Sequence, residues 1–297
     1  MKKMCLFIAA VLISMCSFAQ SELVFKPVNE CFVSEGYYSG DITVPNQVEL
    51  GGISYVVTTI GDYAFRACTG VTSVEMGPSI KKIGQYGFAG TNIISIKIPS
   101  NCVEIGTYAF NIDVLQNIEV DPDNRCFCIV NSGLFDKDLT TLYQYPADCS
   151  QDVFVIPEGV KIIKSGSLIA FRAHTIDFPS TIETFGQWNF SLCRNLTTMV
   201  VRLRDVPSSM DDNFGRFRSN CTLYVPAESI EAYKADEWWS GFKEIKSLEE
   251  YTPVETVKAP AAAVSSVYSI NGTKIKKPTK GLNIIKYANG DGKKVVK

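Results

Sequence analysis

The sequence has little of what most enzymes need. It contains one histidine, His174, among 297 residues. Neither the chain order of a Ser-His-Asp triad, nor the spacing of a His-rich metal site, nor a phosphate-binding glycine loop appears. Cys126-x-Cys128 has no second cysteine pair, and the run from Asp121 to Asn124 supplies too few oxygen ligands for calcium. We therefore predict no catalytic residues, no metal and no cofactor.

The sequence also lacks an excess of positive charge. Its 29 Lys and Arg residues are set against 31 Asp and Glu residues, for a formal net charge of −2. No basic field exists that would attract nucleic acid. A charged fraction of 20% and an apolar fraction of 46% are typical of a folded globular chain.

Long apolar runs are missing after the first twenty residues. Residues 1–20 combine Lys2 and Lys3, an apolar run over 6–15, and Ser17-Phe18-Ala19 as a cleavage signal. This pattern predicts a secretory signal peptide, too short for a membrane span. A lipid-anchored Cys16 is the alternative. We expect an exported protein without a transmembrane segment, at the cell surface, outside the cell or in the periplasm.

A short phrase is repeated at a nearly constant period. It reads IGDYAF at 60–65, IGQYGF at 83–88 and IGTYAF at 105–110, so that Phe65, Phe88 and Phe110 lie 23 and 22 residues apart. Such self-similarity predicts a solenoid, whose repeats bury their apolar faces only by stacking. The glycine in each phrase (Gly61, Gly84, Gly106, and Gly186 later) predicts a corner with a positive φ angle.

An apolar-x-x-apolar-x-apolar phrase follows each phenylalanine. It begins at Val71, Ile93, Leu115, Ala173 and Leu196, and a shortened form covers residues 223–225. Apolar residues two apart predict a strand with one buried face. A proline often comes next, and it ends the strand because it has no N–H to donate. Each turn should therefore hold a main strand, a corner and a second extended segment.

The cysteines fit the repeat better than they fit a disulfide framework. Cys68 and Cys193 each stand three residues after the landmark phenylalanine. Turns stack about 4.8 Å apart, so these two lie about 25 Å apart, whereas a disulfide needs Cα atoms within about 7 Å. Cys102 fills an apolar slot and should be buried. One disulfide among Cys126, Cys128 and Cys149 is the alternative that the repeat does not exclude.

These motifs carry a family resemblance. Apolar-Gly-x-x-Ala-Phe-x-x-Cys followed by Leu-x-x-Val-x-Ile-Pro resembles the BspA-type leucine-rich repeat of bacterial surface proteins, common in Bacteroidetes, over roughly residues 40–248. The interrupted turn at 121–124 and 133–142 is similar to that family as well. The resemblance implies a mostly β, right-handed leucine-rich-repeat solenoid over 21–248 with caps at both ends. It also implies attachment to host matrix proteins or to other bacteria.

The C-terminal part of the sequence changes character twice. Residues 229–234 predict a short helix, and Trp238, Trp239 and Phe242 should cover the last turn as a cap. Residues 249–266 predict a linker. In residues 267–297, Asn271-Gly272 predicts a hairpin, with further strands at 281–285 and 293–297. This small β tail resembles the last strands of the C-terminal sorting domain used in Bacteroidetes secretion.

The strand phrase also predicts a binding surface. Its third and fifth residues point away from the core, and with about ten turns spaced about 4.8 Å apart they would form columns about 45–50 Å long. The candidate partner-binding residues are Ser73, Glu75, Ser95, Lys97, Asn117, Glu119, Thr175, Asp177 and Tyr224.

Three functional hypotheses follow from these observations. The first is an exported, non-catalytic binding or adhesion protein whose polar solenoid face binds host or bacterial surface proteins. The second is a surface component that binds or processes glycans, with Trp238, Trp239 and Tyr224 stacking on sugars. The third is a structural spacer that displays the tail.

Overall fold

A computed structural model describes residues 23–28, 30–207 and 216–252, together with four strands between residues 264 and 296. The chain divides into two units, Met1–Thr252 and Pro253–Lys297, which are described separately. The signal peptide predicted at 1–20 and the turn predicted at Asn271-Gly272 lie outside the described residues.

The first unit is a mostly β solenoid of about eight turns. The predicted number, about ten, is too high because an N-terminal hairpin and an inserted hairpin use residues without adding turns. The strands before the insertion are β1 (Phe25–Val28), β2 (Glu30–Val33), β3 (Ser39–Val44), β4 (Gln47–Leu50), β5 (Ile53–Ile60), β6 (Gly70–Met76), β7 (Lys82–Ile83), β8 (Ser95–Ile98), β9 (Glu104–Ile105) and β10 (Asn117–Val120).

The inserted hairpin and the turns after it complete this unit. Its remaining strands are β11 (Phe127–Val130), β12 (Gly133–Asp136), β13 (Thr141–Gln144), β14 (Val153–Val155), β15 (Ile162–Ile163), β16 (Thr175–Phe178), β17 (Thr184–Phe185), β18 (Thr198–Val201), β19 (Thr222–Val225) and β20 (Glu244–Ser247). One α-helix, α1 (Ile230–Ala235), and four 3-10 helices, Arg216–Asn220, Ala227–Ser229, Trp239–Gly241 and Leu248–Glu250, also belong to it.

Two sets of strands alternate along the chain, as the repeat predicts. The longer strands, here called face strands, are β3, β6, β8 and β10 before the insertion and β14, β16, β18, β19 and β20 after it. They pair in parallel with matched repeat positions, for example Asn117 with Ser95 and Met199 with Leu223. Short strands β7, β9, β15 and β17 form the second extended segment. The predicted strand phrase is confirmed.

The landmark phenylalanines stack in the core. The ring centroids of Phe65 and Phe88 lie 5.2 Å apart, and those of Phe88 and Phe110 lie 6.0 Å apart, with interplanar angles of 5° in both pairs. All three side chains are buried. The described core forms two large clusters, one ending at Leu134 and the other starting at Phe135, and a small third cluster of Ala147, Ile169 and Ala170 packs against Tyr108. The inserted hairpin thus marks the boundary between a first half and a second half of the solenoid.

The glycine that recurs in each phrase does not provide the positive φ angle that we predicted. None of Gly61, Gly84, Gly106 and Gly186 has a positive φ angle. A Cβ atom on Gly106 would lie 2.5 Å from the backbone nitrogen of Gln85, so the glycine is needed because adjacent turns approach closely. The positive φ angles fall two residues later, for instance at Tyr86 and Tyr108.

The insertion is an antiparallel hairpin held by Asn124. Strands β11 and β12 pair antiparallel, and β13 then resumes parallel pairing with β15. The buried Asn124 side chain donates to the Pro99 and Cys102 carbonyls at 2.7 and 3.0 Å and accepts from the Cys126 and Phe127 amides at 2.8 Å. This role accounts for Asn124 without a calcium ion. Lys164 Nζ also joins the halves by donating to the Ile105 carbonyl at 3.2 Å.

Both ends of the solenoid are capped. At the N-terminal end, Tyr38 is buried and its ring centroid lies 5.0 Å from that of Phe65. At the C-terminal end, Trp238, Trp239 and Phe242 are buried in the second core cluster. Helix α1 overlaps the predicted helix at 229–234. Strand β20, which extends the face beyond β19, was not predicted.

The described cysteines are free thiols. Cys68, Cys102, Cys193 and Cys221 are buried, and Cys126, Cys128 and Cys149 are half-buried. No bridge joins these last three, so the open alternative of a disulfide among them is not realised. Burial of Cys102 agrees with its predicted apolar slot, and desolvation raises the pKa of its thiol to about 12.

The second unit contains a four-stranded antiparallel sheet. Its strands are β21 (Val264–Ser269), β22 (Lys274–Ile275), β23 (Leu282–Tyr287) and β24 (Gly292–Val296), in the order β22-β21-β23-β24. The predicted hairpin is present as the β21–β22 pair. Both ends of the linker predicted over 249–266 have regular structure, and residues 253–263 lie outside the described part of the chain. Residues 249 and 250 lie in a 3-10 helix capped by Ser247, and residues 264–266 lie in β21.

Candidate functional site

Six of the nine candidate partner-binding residues form one exposed surface on the first half. This polar face consists of Ser73, Glu75, Ser95, Lys97, Asn117 and Glu119, on strands β6, β8 and β10. Each is exposed because its strand turns the alternate, apolar residues inward. Asn117 lies opposite Ser95, and Glu119 lies opposite Lys97.

Hydrogen bonds order parts of the polar face. Asn117 Nδ2 donates to Glu119 Oε1 at 3.2 Å and to Ser95 Oγ at 3.4 Å. Lys97 Nζ pairs with Asp121 Oδ2 at 3.0 Å, and this contact is the main cause of the lowered pKa of the Asp121 carboxyl group. Glu75 belongs to no ion pair within the described residues. The face therefore presents amides, hydroxyls and carboxylates in fixed register.

The neighbouring strand β3 adds a carboxylate to the edge of this face. Ser73 Oγ donates to Asp41 Oδ1 at 2.6 Å, and Thr72 Oγ1 donates to the same oxygen at 3.1 Å. The hydrogen bond from Ser73, followed by that from Thr72, lowers the pKa of the exposed Asp41 carboxyl group. Asp41 thus stays ionised beside the polar face at neutral pH.

The three remaining candidates do not belong to an exposed surface. Thr175 and Asp177 are buried, with exposed fractions of 3% and 6%, and Tyr224 is half-buried. Arg202 binds both oxygens of Asp177, from Nε at 2.9 Å and from Nη2 at 2.8 Å. The ring centroid of Tyr251 lies 5.1 Å from that of Tyr224. The prediction of one continuous polar face is wrong here because residues outside the repeat phrase engage these positions.

The predicted sugar platform is also wrong. Trp239 is fully buried and Trp238 is 8% exposed, and their rings meet edge to face at a centroid distance of 4.7 Å. Trp239 lies parallel to Phe242, with ring centroids 5.8 Å apart. These rings belong to the core of the C-terminal cap, so they are not available to stack on a sugar.

The residues considered for metal binding or catalysis have structural partners. His174 is exposed, and its Nδ1 contacts Asp152 Oδ1 across adjacent turns. Asp121 pairs with Lys97 and also accepts the Asp123 amide at 3.1 Å. In the part of the chain that the structure describes, no three His, Cys, Asp or Glu residues are grouped as metal ligands.

A second surface, the aromatic column, was missed by the sequence reasoning. It comprises Tyr63, Tyr86, Tyr108 and Trp188, which stand at the fourth position of the repeated phrase and have φ angles between 53° and 62°. The rings of Tyr63 and Tyr86 stack at 5.4 Å, and those of Tyr86 and Tyr108 at 4.8 Å. Arg66 lies over Tyr63 and Tyr86. The sequence signal for this column is the aromatic residue that recurs two positions after the glycine, in IGDY, IGQY, IGTY and FGQW.

The column borders a cleft where the two halves of the solenoid meet. The cleft has a volume of ≈640 Å³. The first half contributes Tyr86, Thr91, Asn92, Tyr108, Asn111 and Asp113, and the second half contributes Ile169, Trp188, Ser191 and Leu192. Asp113 is the only charged residue among the lining residues that the structure describes. A cleft of this size and mixed lining is suited to a small neutral ligand or a segment of a polymer.

No helix in the described part of the chain has the length and hydrophobicity needed to cross a membrane.

Comparisons with known proteins match the repeat region. The model of a family described as "BspA type Leucine rich repeat region" matches residues 47–143 and 142–231, with six copies. No curated protein matches.

Solved structures of bacterial leucine-rich repeat proteins are similar to this chain. A leucine-rich cell surface protein from Faecalibacterium prausnitzii is 15% identical over 81% of this chain and 96% of its own, with a TM-score of 0.47. The pneumococcal vaccine antigen PcpA is 12% identical over 76% and 96%, with a TM-score of 0.39. A leucine-rich repeat protein from Bacteroides ovatus is 14% identical over 79% and 77%, with a TM-score of 0.37.

Proposed function

Because this chain belongs to the BspA-type leucine-rich repeat family, we propose that it is an exported, non-catalytic protein that binds other proteins through the polar face of its first half. Leucine-rich repeat proteins generally bind proteins. The partners we propose are host matrix proteins or surface proteins of other bacteria, and the place of action is the cell surface or the extracellular space.

The exposed polar face is the observation that carries this proposal. Its six side chains are exposed on neighbouring strands, those on β8 and β10 stand in matched register, and three of the six bear charge. Strand β3 with Asp41 extends it at one edge, and Gln116, which donates to Asp148 at 3.0 Å, extends it at the other. Polar groups held in place before binding reduce the entropy lost when a partner docks.

The size of the face bears on the affinity. Four face strands spaced about 4.8 Å apart span about 15–20 Å, which is less than a standard interface of about 800 Å² per partner requires. A partner must therefore also contact the flanking turns, or it binds weakly. We expect weak binding that increases when several copies are displayed together.

Charge reversal on the face tests the proposal. The double variant Glu75→Lys and Glu119→Lys should weaken binding to immobilised matrix proteins by about tenfold or more, because it reverses both negative charges of the face, on the strands on either side of Lys97. The readout is biolayer interferometry on a panel of purified matrix and bacterial surface proteins.

The matched control is Glu49→Lys with Glu237→Lys, which makes the same change in net charge at exposed sites off the face. Equal affinity of the two double variants for every protein that the parent chain binds would refute the claim that the polar face is the binding surface. The absence of any protein partner in the panel would refute the function.

A further inference from the structure

We propose that the cleft between the two halves binds a neutral oligosaccharide, with a sugar ring stacked on Trp188. This site is separate from the polar face, and it is separate from the buried tryptophans of the cap. It adds a second ligand class to the protein binding proposed above.

Trp188 differs from the other members of the aromatic column. Tyr63, Tyr86 and Tyr108 stack on one another, so their rings stabilise the scaffold. Trp188 is 44% exposed, and within the described residues its ring contacts no other aromatic ring. A large, exposed aromatic ring that lines a cleft is the common form of a ligand-stacking surface.

The backbone at Trp188 supports the same inference. Its φ angle is 62°, in the left-handed region that residues other than glycine adopt at a cost in free energy. The equivalent position one turn earlier is Gly166, which adopts φ 75° without a side chain. The second half can thus fill this slot with glycine, yet it places its most exposed tryptophan there. The same φ region recurs at Tyr63, Tyr86 and Tyr108 and belongs to the repeat, so what distinguishes Trp188 is that its ring stays exposed.

Gly166 also interrupts the column beside Trp188. A Cβ atom at this position would lie 2.1 Å from Cδ1 of Tyr108, so no side chain fits. The stack of rings therefore ends at Tyr108, and no ring from the intervening turn covers Trp188. Trp188, one turn after Gly166, lines the cleft together with Tyr108.

The chemistry of the lining selects the ligand. Aromatic and aliphatic groups (Tyr108, Trp188, Leu192) match the C–H faces of sugar rings, and the amides of Asn92 and Asn111 match hydroxyl groups because an amide both donates and accepts. Asn92 is held in place by a 2.8 Å hydrogen bond from Nδ2 to the Thr69 carbonyl. The lining holds no Lys or Arg to attract an anion, and Asp113 disfavours one.

Tryptophan fluorescence of the chain without its signal peptide provides a direct test. Trp188 is the exposed member of three tryptophans, since Trp238 and Trp239 are buried. The probes are neutral hexasaccharides of glucose, xylose, mannose and N-acetylglucosamine, with hexagalacturonate as the anionic comparison and a proline-rich peptide as the protein-like comparison. At least one neutral hexasaccharide should change the emission in a saturable manner and bind more tightly than hexagalacturonate.

Variants separate stacking from folding. Trp188→Ala should weaken binding of that hexasaccharide by about tenfold or more in calorimetry, and Trp188→Phe should restore most of it because it keeps a ring. Tyr37→Ala, at a fully exposed aromatic residue outside the cleft, should leave it unchanged. If Trp188→Ala does not fold, Trp188→Phe and the titration of the parent chain still decide the matter.

The proposal fails if no neutral hexasaccharide binds, if only the anion or the peptide binds, or if Trp188→Ala binds as the parent does. Failure here is distinct from failure of the polar face. Glu75→Lys with Glu119→Lys should leave hexasaccharide binding unchanged, and Trp188→Ala should leave protein binding unchanged.

Discussion

The two halves of the solenoid are built from the same repeat but present different surfaces. In the first half, Phe65, Phe88 and Phe110 stack with interplanar angles of 5° and the polar face is exposed. In the second half, Leu168 replaces one landmark phenylalanine, and the landmark Phe190 meets Phe178 of strand β16 at an interplanar angle of 76°. There, Asp177 and Val200 on the face strands are buried.

The difference shows how regularity and exposure are linked. Three nearly identical phrases give the first half a uniform core, and each of its turns needs only its neighbours. In the second half, Leu168 and Gly166 replace the usual Phe and Tyr, and residues outside the repeat, such as Arg202 and Tyr251, engage the face. The regular first half therefore exposes its face strands, whereas residues outside the repeat contact the face strands of the irregular second half.

The largest effect should come from removing a stacked ring in the first half. Phe88→Ala deletes a fully buried side chain and should lower the free energy of unfolding by about 3–5 kcal/mol. Because turns contact mainly their neighbours, the second half should stay folded. Circular dichroism in urea should then show a transition before the tryptophan fluorescence, since all three tryptophans lie after the insertion. Coincident transitions, or a loss below about 1 kcal/mol, would contradict this independence.

An intermediate effect is expected from the ion pair on the face of the second half. Arg202→Ala leaves the buried Asp177 carboxylate without its bidentate partner. Because the Arg202 side chain is 43% exposed and water partly screens it, we expect a loss of about 1–3 kcal/mol. The matched first-half variant is Lys97→Ala, which breaks an exposed pair and should change stability by less than about 1 kcal/mol. Urea unfolding measures both, and equal losses would remove the distinction between the halves.

The smallest effect concerns a proton at the edge of the polar face. Ser73→Ala should raise the pKa of Asp41 towards its ordinary value, because the strongest of its hydrogen bonds is lost. A carboxyl pKa lowered by folding contributes stability above its unfolded pKa, and this is lost as pH falls through the lower folded value. The variant should lose part of that pH dependence. Titration of Asp41 by NMR is the measurement, Ser95→Ala is the control, and an unchanged pKa would contradict the assignment.

Much of the fold could be predicted from the sequence because apolar spacing and period determine how turns stack. The strand phrase and the buried phenylalanines follow from it, whereas the interrupted turn is expected from the family resemblance and the aromatic cap from the need to cover the last apolar face. The glycine role could not be predicted in this way. Spacing shows that Gly106 is required, but only the distance to Gln85 in the next turn shows that close approach, and not φ, is the reason.

The candidate site was predictable only where the repeat alone determines exposure. Alternation places Glu75 and Asp177 equivalently, and nothing in the phrase indicates that Arg202, 25 residues later, binds Asp177. The cleft could not be predicted from the sequence for a related reason. It depends on Gly166 packing against Tyr108 across the insertion and on Trp188 lining the same cleft, and these positions are 58 and 80 residues from Tyr108 in the sequence.

The buried thiols have a consequence for how the chain matures. Cys68, Cys102, Cys193 and Cys221 are closed inside the turns, and burial raises the pKa of Cys193 to about 12. A buried thiol whose pKa is raised, such as that of Cys193, is a poor nucleophile and resists oxidation and disulfide exchange. The four buried cysteines are accessible to oxidants only until their turns close during folding. Rapid local winding, which a solenoid of short-range contacts favours, would therefore protect these cysteines without any disulfide isomerase.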